Sequence, residues 1–594
     1  MDIQQLLKED ISRAISALFG MQPEEIALQP TRKDFEGLYT FVTFPLTKPL
    51  RQAPPAIGEA IGKYLVEHST VVSKYNVVQG FLNLSLSDTV WIDTLNGLIA
   101  DPSFGQLPAT GQSVMVEFSS PNTNKPLHLG HLRNNFLGDS VSRILEASGY
   151  NVNKVCLVND RGIHICKSML AYQKFGNGET PESAGLKGDH FIGKYYVRFD
   201  REYKQQIDEL VTGGMDKEAA EKKAPLMLEA QEMLRRWEQG DAETVALWKQ
   251  MNEWVYAGFN ETYRKIGVSF DKTYYESQTY LLGKDVIDEG LEKGVFYRKD
   301  DNSVWIDLTA EGLDQKLVLR SDGTSVYMTQ DLGTTDLKFQ DFQTDKAIWV
   351  VGNEQDYHFA VLFAILKRLG RPYAAGCYHL SYGMVDLPSG KMKSREGTVV
   401  DADDLIREVT QAAADAAEVA AKGMLDEFSE EEKTKLFRML GLGALKYYLL
   451  KVDPQKRMMF NPEESVDLHG HTGPYIQYTH ARIRSVLRKA AQMGVEPTAA
   501  VPVVELDAVE QQLAYQLAQF RQRLGEAAAD YSPAYLAQYA YDLARTFNQF
   551  YDKLSILKEP DAAKLQSRVT LSYAVVQTIR RSMELLGIDV PEKM

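Results

Sequence analysis

The stretch SVMVEFSSPNTNKPLHLGHLRNNFLGDSVSRILEASGYNVNKVCLVND, residues 113–160, limits the fold more than any other part of the chain. It opens on a short apolar run that reads as a buried strand and passes through a Pro/Asn loop. It continues as a helix with Leu132, Phe136, Leu137, Val141 and Leu145 on one face and Gly149 as its stop. VNKVCLVND is then a second apolar strand. Two buried strands joined through a helix form a parallel βαβ unit. The alternation runs on to about residue 400, where the strand KAIWVVGNEQ precedes the helix YHFAVLFAILKRLG. The expected class is α/β, built on a Rossmann-like parallel sheet.

Composition shifts along the chain divide it into four regions. Residues 1–108 read as a small α+β domain, with an amphipathic helix, the β-rich LYTFVTFPLT, a helix around Ala56–Ser69 and the alternating strand GFLNLSLS. The Pro/Gly/Thr-rich 101–112 is a linker. Residues 109–405 form the parallel-sheet domain, interrupted by a charged helical insertion at about 168–255. Residues 406–465 connect it to 466–594, an all-α bundle.

Three cysteines without a CxxC pair argue against a disulfide framework and a thiolate zinc site, so no protein-bound zinc is expected. The opening residues lack a basic head and a long apolar run, and no run of 18 apolar residues occurs. A cytoplasmic chain that avoids membranes is expected. The formal charge of −15 speaks against a polyanionic partner in general. The charge is uneven, however, and residues 466–594 balance 14 Lys and Arg against 14 Asp and Glu.

Four segments carry chemistry. In SSPNTNKPLHLGHLRNN, His128 and His131 start a helix three residues apart, so their rings point the same way. A helix N-terminus attracts phosphate, and imidazoles there can donate to it. Two helix-start histidines without further role are the alternative. The loop LPSGKMKSREGTVV sets Lys391, Lys393 and Arg395 among glycines, suited to a triphosphate or simply to solvent. In DGTSVYMTQDLG, Tyr327 and Asp331 share a helical face, and GNEQDYH ends a strand, where α/β folds place ligands. HTGPYIQYTHARIRSVLRK lines up Tyr475, Tyr478, Arg482 and Arg484, a pattern for stacking unpaired bases or for an ordinary core.

The unit VEFSSPNTNKPLHLGHLRN resembles the HxGH signature of class I aminoacyl-tRNA synthetases, in its arginyl-tRNA synthetase form. TGPYIQYTHARI, YDLARTFNQFYDKL and LGIDVPEKM are similar to that family's anticodon-binding bundle, and the resemblance covers nearly the whole chain. It implies ligation of L-arginine to tRNA(Arg) through an arginyl-adenylate, with Mg·ATP as co-substrate and tRNA needed for adenylate formation. By the same resemblance, His128, Gly130, His131 and His358 bind ATP, and Lys125, Lys391 and Lys393 hold the triphosphate. Ser394 stands where the family's second loop lysine belongs, and Lys125 is the compensating residue. Glu117 and Asp331 take the guanidinium, Tyr327 packs on it, Asn122 holds the backbone end and Gln355 contacts arginine. Tyr475, Tyr478, Arg482 and Arg484 meet the tRNA, residues 1–108 touch its elbow, and a monomer is expected. The rivals are another class I synthetase, such as the cysteinyl type, and a non-catalytic tRNA-binding relative.

Overall fold

The computed structural model describes residues 3–32, 34–386, 388, 400–421 and 424–594. At its centre are five strands, β1 (Ser113–Glu117), β2 (Asn151–Val158), β3 (Lys272–Tyr275), β4 (Lys346–Gly352) and β5 (Cys377–Tyr382). All neighbours pair in parallel, in the order 3-2-1-4-5. The chain thus winds outward from β1 in one direction, then returns to its other side through β4. This reversal opens a crevice between β1 and β4 at the carboxyl ends of the strands, where doubly wound sheets take their ligands.

Helix α1 (Leu129–Ala147) follows β1, α2 (Ile163–Phe175) follows β2, α3 (Tyr327–Phe342) precedes β4, and α4 (Asp356–Arg368) follows it. The sequence pattern gave α1 one apolar face, yet nearly all of it is buried. One side covers the sheet. The other meets helices Glu430–Leu450, Phe520–Ala529 and Ala562–Leu585, so one apolar core runs from the sheet into the C-terminal helices. Helices Gly188–Thr212, Lys217–Lys223, Pro225–Glu238 and Ala242–Ile266 intervene before β3. A three-stranded antiparallel sheet, which the sequence reading missed, lies between β3 and α3.

The N-terminal region has its own four-stranded antiparallel sheet and core. There the β-rich reading of LYTFVTFPLT holds only for Tyr39–Val42, because Phe44–Leu50 is helical. Pro45 in the first turn explains the switch: a proline cannot donate to a strand ladder but costs nothing where helix N–H groups have no partner anyway. Among the described residues no helix is long and apolar enough to cross a membrane.

Candidate active site

Chain direction at the crevice is set by Ser119, which leaves β1 with φ +64°, a left-handed conformation unusual outside glycine. Asn134, buried within α1, holds this turn. Its carbonyl accepts from the Ser119 N–H at 2.6 Å and its amide donates to the Val350 carbonyl of β4 at 2.7 Å. One side chain therefore fastens both walls of the switch point. The loop that follows is tied to β2 by Thr123 N–H to Asn159 carbonyl at 3.0 Å and Asn159 N–H to Pro121 carbonyl at 2.9 Å.

His128 is the N-cap of α1. Its Nδ1 accepts the Gly130 N–H at 3.1 Å, while its own N–H donates to the His131 Nδ1 at 3.1 Å. The rings lie 3.9 Å apart. A Cβ on Gly130 would stand 3.0 Å from the His128 Cε1, so a larger residue here must push that ring back by a few tenths of an ångström. Burial, then the charge of Lys125, pushes the His128 imidazole down to about 4. Burial, the neighbouring ring and Lys125 push His131 well below its ordinary value. Both rings are neutral at pH 7. A neutral ring whose Nδ1 accepts carries its proton on Nε2, so the pair offers two Nε2–H donors at a helix N-terminus, with Lys125 in range. Such a tip binds phosphate through fixed donors.

Residues 400–402 run beside this tip. The Leu129 N–H donates to the Val400 carbonyl at 3.3 Å and the Ala402 N–H to the Leu127 carbonyl at 2.9 Å. The next turn is anchored by Asp403, which Lys187, Lys265 at 3.2 Å, His190 at 3.4 Å and the Thr262 hydroxyl at 3.2 Å all meet. Burial alone would raise the Asp403 carboxyl. The hydrogen bonds from His190 and Lys187 and the charges of Lys187 and Lys265 hold it far below the usual range. Lys391 and Lys393 lie outside the described residues.

At the carboxyl ends of β2 and β3 is a cavity of about 620 Å³, walled by Asn122, Arg161, Glu276, Tyr280, Arg320 and Tyr327 among others. Tyr327, the first residue of α3, is 74% exposed there. One turn on, Asp331 accepts a 2.6 Å hydrogen bond from the His358 Nε2. Two residues expected to serve different substrates are thus in direct contact. Gln355 is exposed just before α4. Glu117 is buried at the end of β1, where the ammonium of Lys338, itself buried on α3, already pairs with it. Neither Glu117 nor Asp331 lines the cavity.

The sequence reading passed over Lys338, Asn134, Glu276 and Arg133. Arg133 is buried and donates to the carbonyls of Gly383 at 2.6 Å and Lys456 at 2.9 Å, tying α1 to the strand Val385–Asp386. A signal was present: LRNN places three charged or amide side chains inside a helix that is otherwise core. Buried polar groups need partners, and these partners form the switch point.

In the C-terminal helices, Tyr478 and Arg482 line a groove of about 1020 Å³ together with Arg488, Lys489, Lys553 and Lys558. The Arg482 guanidinium stacks 4.9 Å from the Tyr478 ring and 5.1 Å from that of Tyr551. Tyr475 and Arg484 are not on this wall. The Tyr475 hydroxyl accepts from Asn548 at 3.0 Å, and Arg484 pairs with Glu592 at 2.5 Å.

A sequence model described as class I tRNA synthetases (R), catalytic domain, matches residues 96–461. Others, described as DALR anticodon binding domain and arginyl tRNA synthetase N terminal domain, match 476–594 and 5–86. The chain is 55% identical to the arginine–tRNA ligase of Amoebophilus asiaticus and 54% identical to that of Bacteroides thetaiotaomicron, over 100% of each chain. Among solved structures, the Thermus thermophilus arginyl-tRNA synthetase aligns over 100% of both chains with TM-score 0.79 and 26% identity. The Plasmodium falciparum arginyl-tRNA synthetase shares the fold, with TM-score 0.74 at 20% identity over 100% of this chain and 99% of that one.

Proposed function

The chain belongs to the arginyl-tRNA synthetases, ATP-dependent class I ligases, and from that premise we propose that it joins L-arginine to tRNA(Arg) through an arginyl-adenylate. The observation that carries the reading is the pair of neutral histidines at the N-terminus of α1, each with its Nδ1 accepting a backbone N–H, which leaves the proton on Nε2. A carboxylate oxygen of arginine attacks the α-phosphorus of Mg·ATP in line. The bond from that phosphorus to the bridging oxygen breaks, and pyrophosphate leaves with the electron pair. The terminal ribose hydroxyl of the tRNA then attacks the acyl carbon, giving up its proton, and AMP departs.

No protein nucleophile is required, so the residues position substrates and balance charge. His128 and His131 donate Nε2–H to the phosphate oxygens as negative charge builds, and Gly130 gives the backbone its close approach. Lys125, with Lys391 and Lys393, neutralises the departing pyrophosphate. Asp331 and Glu117 take the guanidinium, Tyr327 covers it, and Asn122 and Gln355 hold the rest of the amino acid. His358 orients Asp331 and borders the nucleotide. Tyr478 and Arg482 stack unpaired anticodon bases, with Tyr475 and Arg484 stiffening the same helix. Residues 1–108 meet the tRNA elbow, residues 109–405 do the chemistry and 466–594 read the anticodon. The chain acts as a cytoplasmic monomer.

Pyrophosphate exchange in the presence of tRNA tests this reading. Arginine should support exchange, and cysteine or glutamate should not. His131→Ala should abolish exchange while sparing tRNA affinity. Equal loss of both would favour a tRNA-binding module instead.

A further inference from the structure

Asp401 and His190 take no part in the chemistry described so far, yet they meet beside it. Residues 127–129 and 400–402 run antiparallel, and Asp401 stands directly opposite His128 in that pairing. The Asp401 Oδ1 accepts the N–H groups of Asp403 and Asp404 at 2.8 and 3.1 Å, at the start of the helix Ala402–Ala421. Its Oδ2 is buried and has no hydrogen bond among the described residues. The His190 Nε2 lies 3.3 Å from that oxygen, the one ion-pair partner of Asp401 among those residues, and 3.4 Å from the Asp403 Oδ2.

The two carboxylates depend on this ring to different degrees. Asp403 is also met by Lys187, Lys265 and the Thr262 hydroxyl. Asp401 has no such surplus. Burial raises its carboxyl, and His190 is the largest influence that opposes this. A buried carboxylate oxygen without a donor is costly, so the place of Asp401 rests on the imidazole. Nε2 carries a proton in the charged ring and in one neutral tautomer, so the bridge survives a change of charge. Asp189, His190 and Asp403 have the make-up of a cation site, but the Lys187 ammonium lies against both acids and already fills that role. His190 itself belongs to the helix Gly188–Thr212 of the charged insertion, in which the sequence suggested no site.

We propose that His190 is a positioning residue for the reaction: its Nε2–H spans Asp401 and Asp403, clamps residues 400–402 against the N-terminus of α1 and so keeps His128 in register for the phosphate. The effect on rate rests on the arginyl-adenylate reading, and the clamp rests on geometry alone.

Two variants and two readouts test it. His190→Leu removes the donor at similar volume, and His190→Gln keeps an N–H donor on the same helix. In tRNA-supported pyrophosphate exchange, His190→Leu should lower kcat about 3- to 10-fold, the effect of a few tenths of an ångström at His128. The KM for arginine and the Kd for tRNA should move by less than about twofold, since neither contact is touched. His190→Gln should return kcat to within about twofold of wild type. By hydrogen exchange and mass spectrometry, the amides of Leu129 and Ala402 should exchange faster in His190→Leu and recover in His190→Gln. An unchanged kcat in His190→Leu, a loss of tRNA affinity equal to the loss of rate, or a glutamine variant as slow as the leucine one would overturn the proposal. A wild-type enzyme that fails to exchange with arginine would sink the arginine reading instead. Amide protection would then judge the clamp by itself, and unchanged protection in His190→Leu would overturn it.

Discussion

Replacing Gly130 by alanine separates stability from catalysis in this fold. Gly130 is the second residue of α1, and its φ is not left-handed, so alanine fits the backbone. On propensity alone the change stabilises the helix by about 0.5–1 kcal/mol. The new methyl, however, would sit 3.0 Å from the His128 Cε1 and 3.2 Å from its Nδ1. Ordinary contact begins at about 3.4 Å, so the ring must give by a few tenths of an ångström. The same ring accepts the Gly130 N–H at 3.1 Å, and that bond lengthens or breaks as the ring turns. Losing it costs about 1 kcal/mol, which offsets the helix gain. A displacement of about 1 Å at a reacting centre can cost 100-fold in rate. Scaled to a few tenths of an ångström, Gly130→Ala should melt within a few degrees of wild type while kcat for pyrophosphate exchange falls about 3- to 10-fold. Thermal unfolding by circular dichroism and exchange at saturating arginine and ATP measure the two sides. Exchange within about twofold of wild type would refute the reasoning, because it would mean that the position of His128 does not matter.

Lys338→Met leaves Glu117 buried and unanswered, which should cost roughly 3–5 kcal/mol of stability; saturating arginine should restore part of it if Glu117 meets the guanidinium, as a melting series with and without arginine would reveal. Tyr478→Ala and Arg482→Ala should each weaken tRNA binding about 10- to 100-fold in filter binding, the range for one stacked base, whereas Arg484→Ala, already paired with Glu592, should change it by less than about threefold. Over pH 6–8 kcat for pyrophosphate exchange should stay level because His128 and His131 remain neutral.

Legibility followed the physical range of each interaction. The βαβ pattern, the helix at Leu129 and the strand ends at Asn159 and Gly352 are local matters of periodicity and turn chemistry, and they stood in the sequence. The histidine pair was legible for the same reason: a three-residue spacing on a helix start fixes the geometry. What remained hidden depends on chain segments far apart. The pairing of Glu117 with Lys338 spans 221 residues, and the Arg133 bond to the Gly383 carbonyl spans 250. Arg484 and Tyr478 look equivalent along one helix, and only the packing of Glu592 against the first and of the groove against the second tells them apart. The FPLT helix was missed because β-branched and aromatic residues outweighed one proline.

The net charge of −15, awkward for a partner made of phosphates, resolves once location is considered. Charges separated by more than about 8 Å of physiological solvent are largely screened, so the total matters less than what lines each surface. The groove at Tyr478 is walled by Arg482, Arg488, Lys489, Lys553, Lys558 and Lys593, against the acids Glu427 and Asp552. The cavity of about 620 Å³, by contrast, sets the acids Glu238 and Glu276 among the cations Arg161, Lys284 and Arg320, with Arg161 turned to Glu238. The groove thus holds six cations against two acids and the cavity three against two, so the positive surplus that suits a polyanionic acceptor sits at the C-terminal helices, whatever the sign of the whole chain.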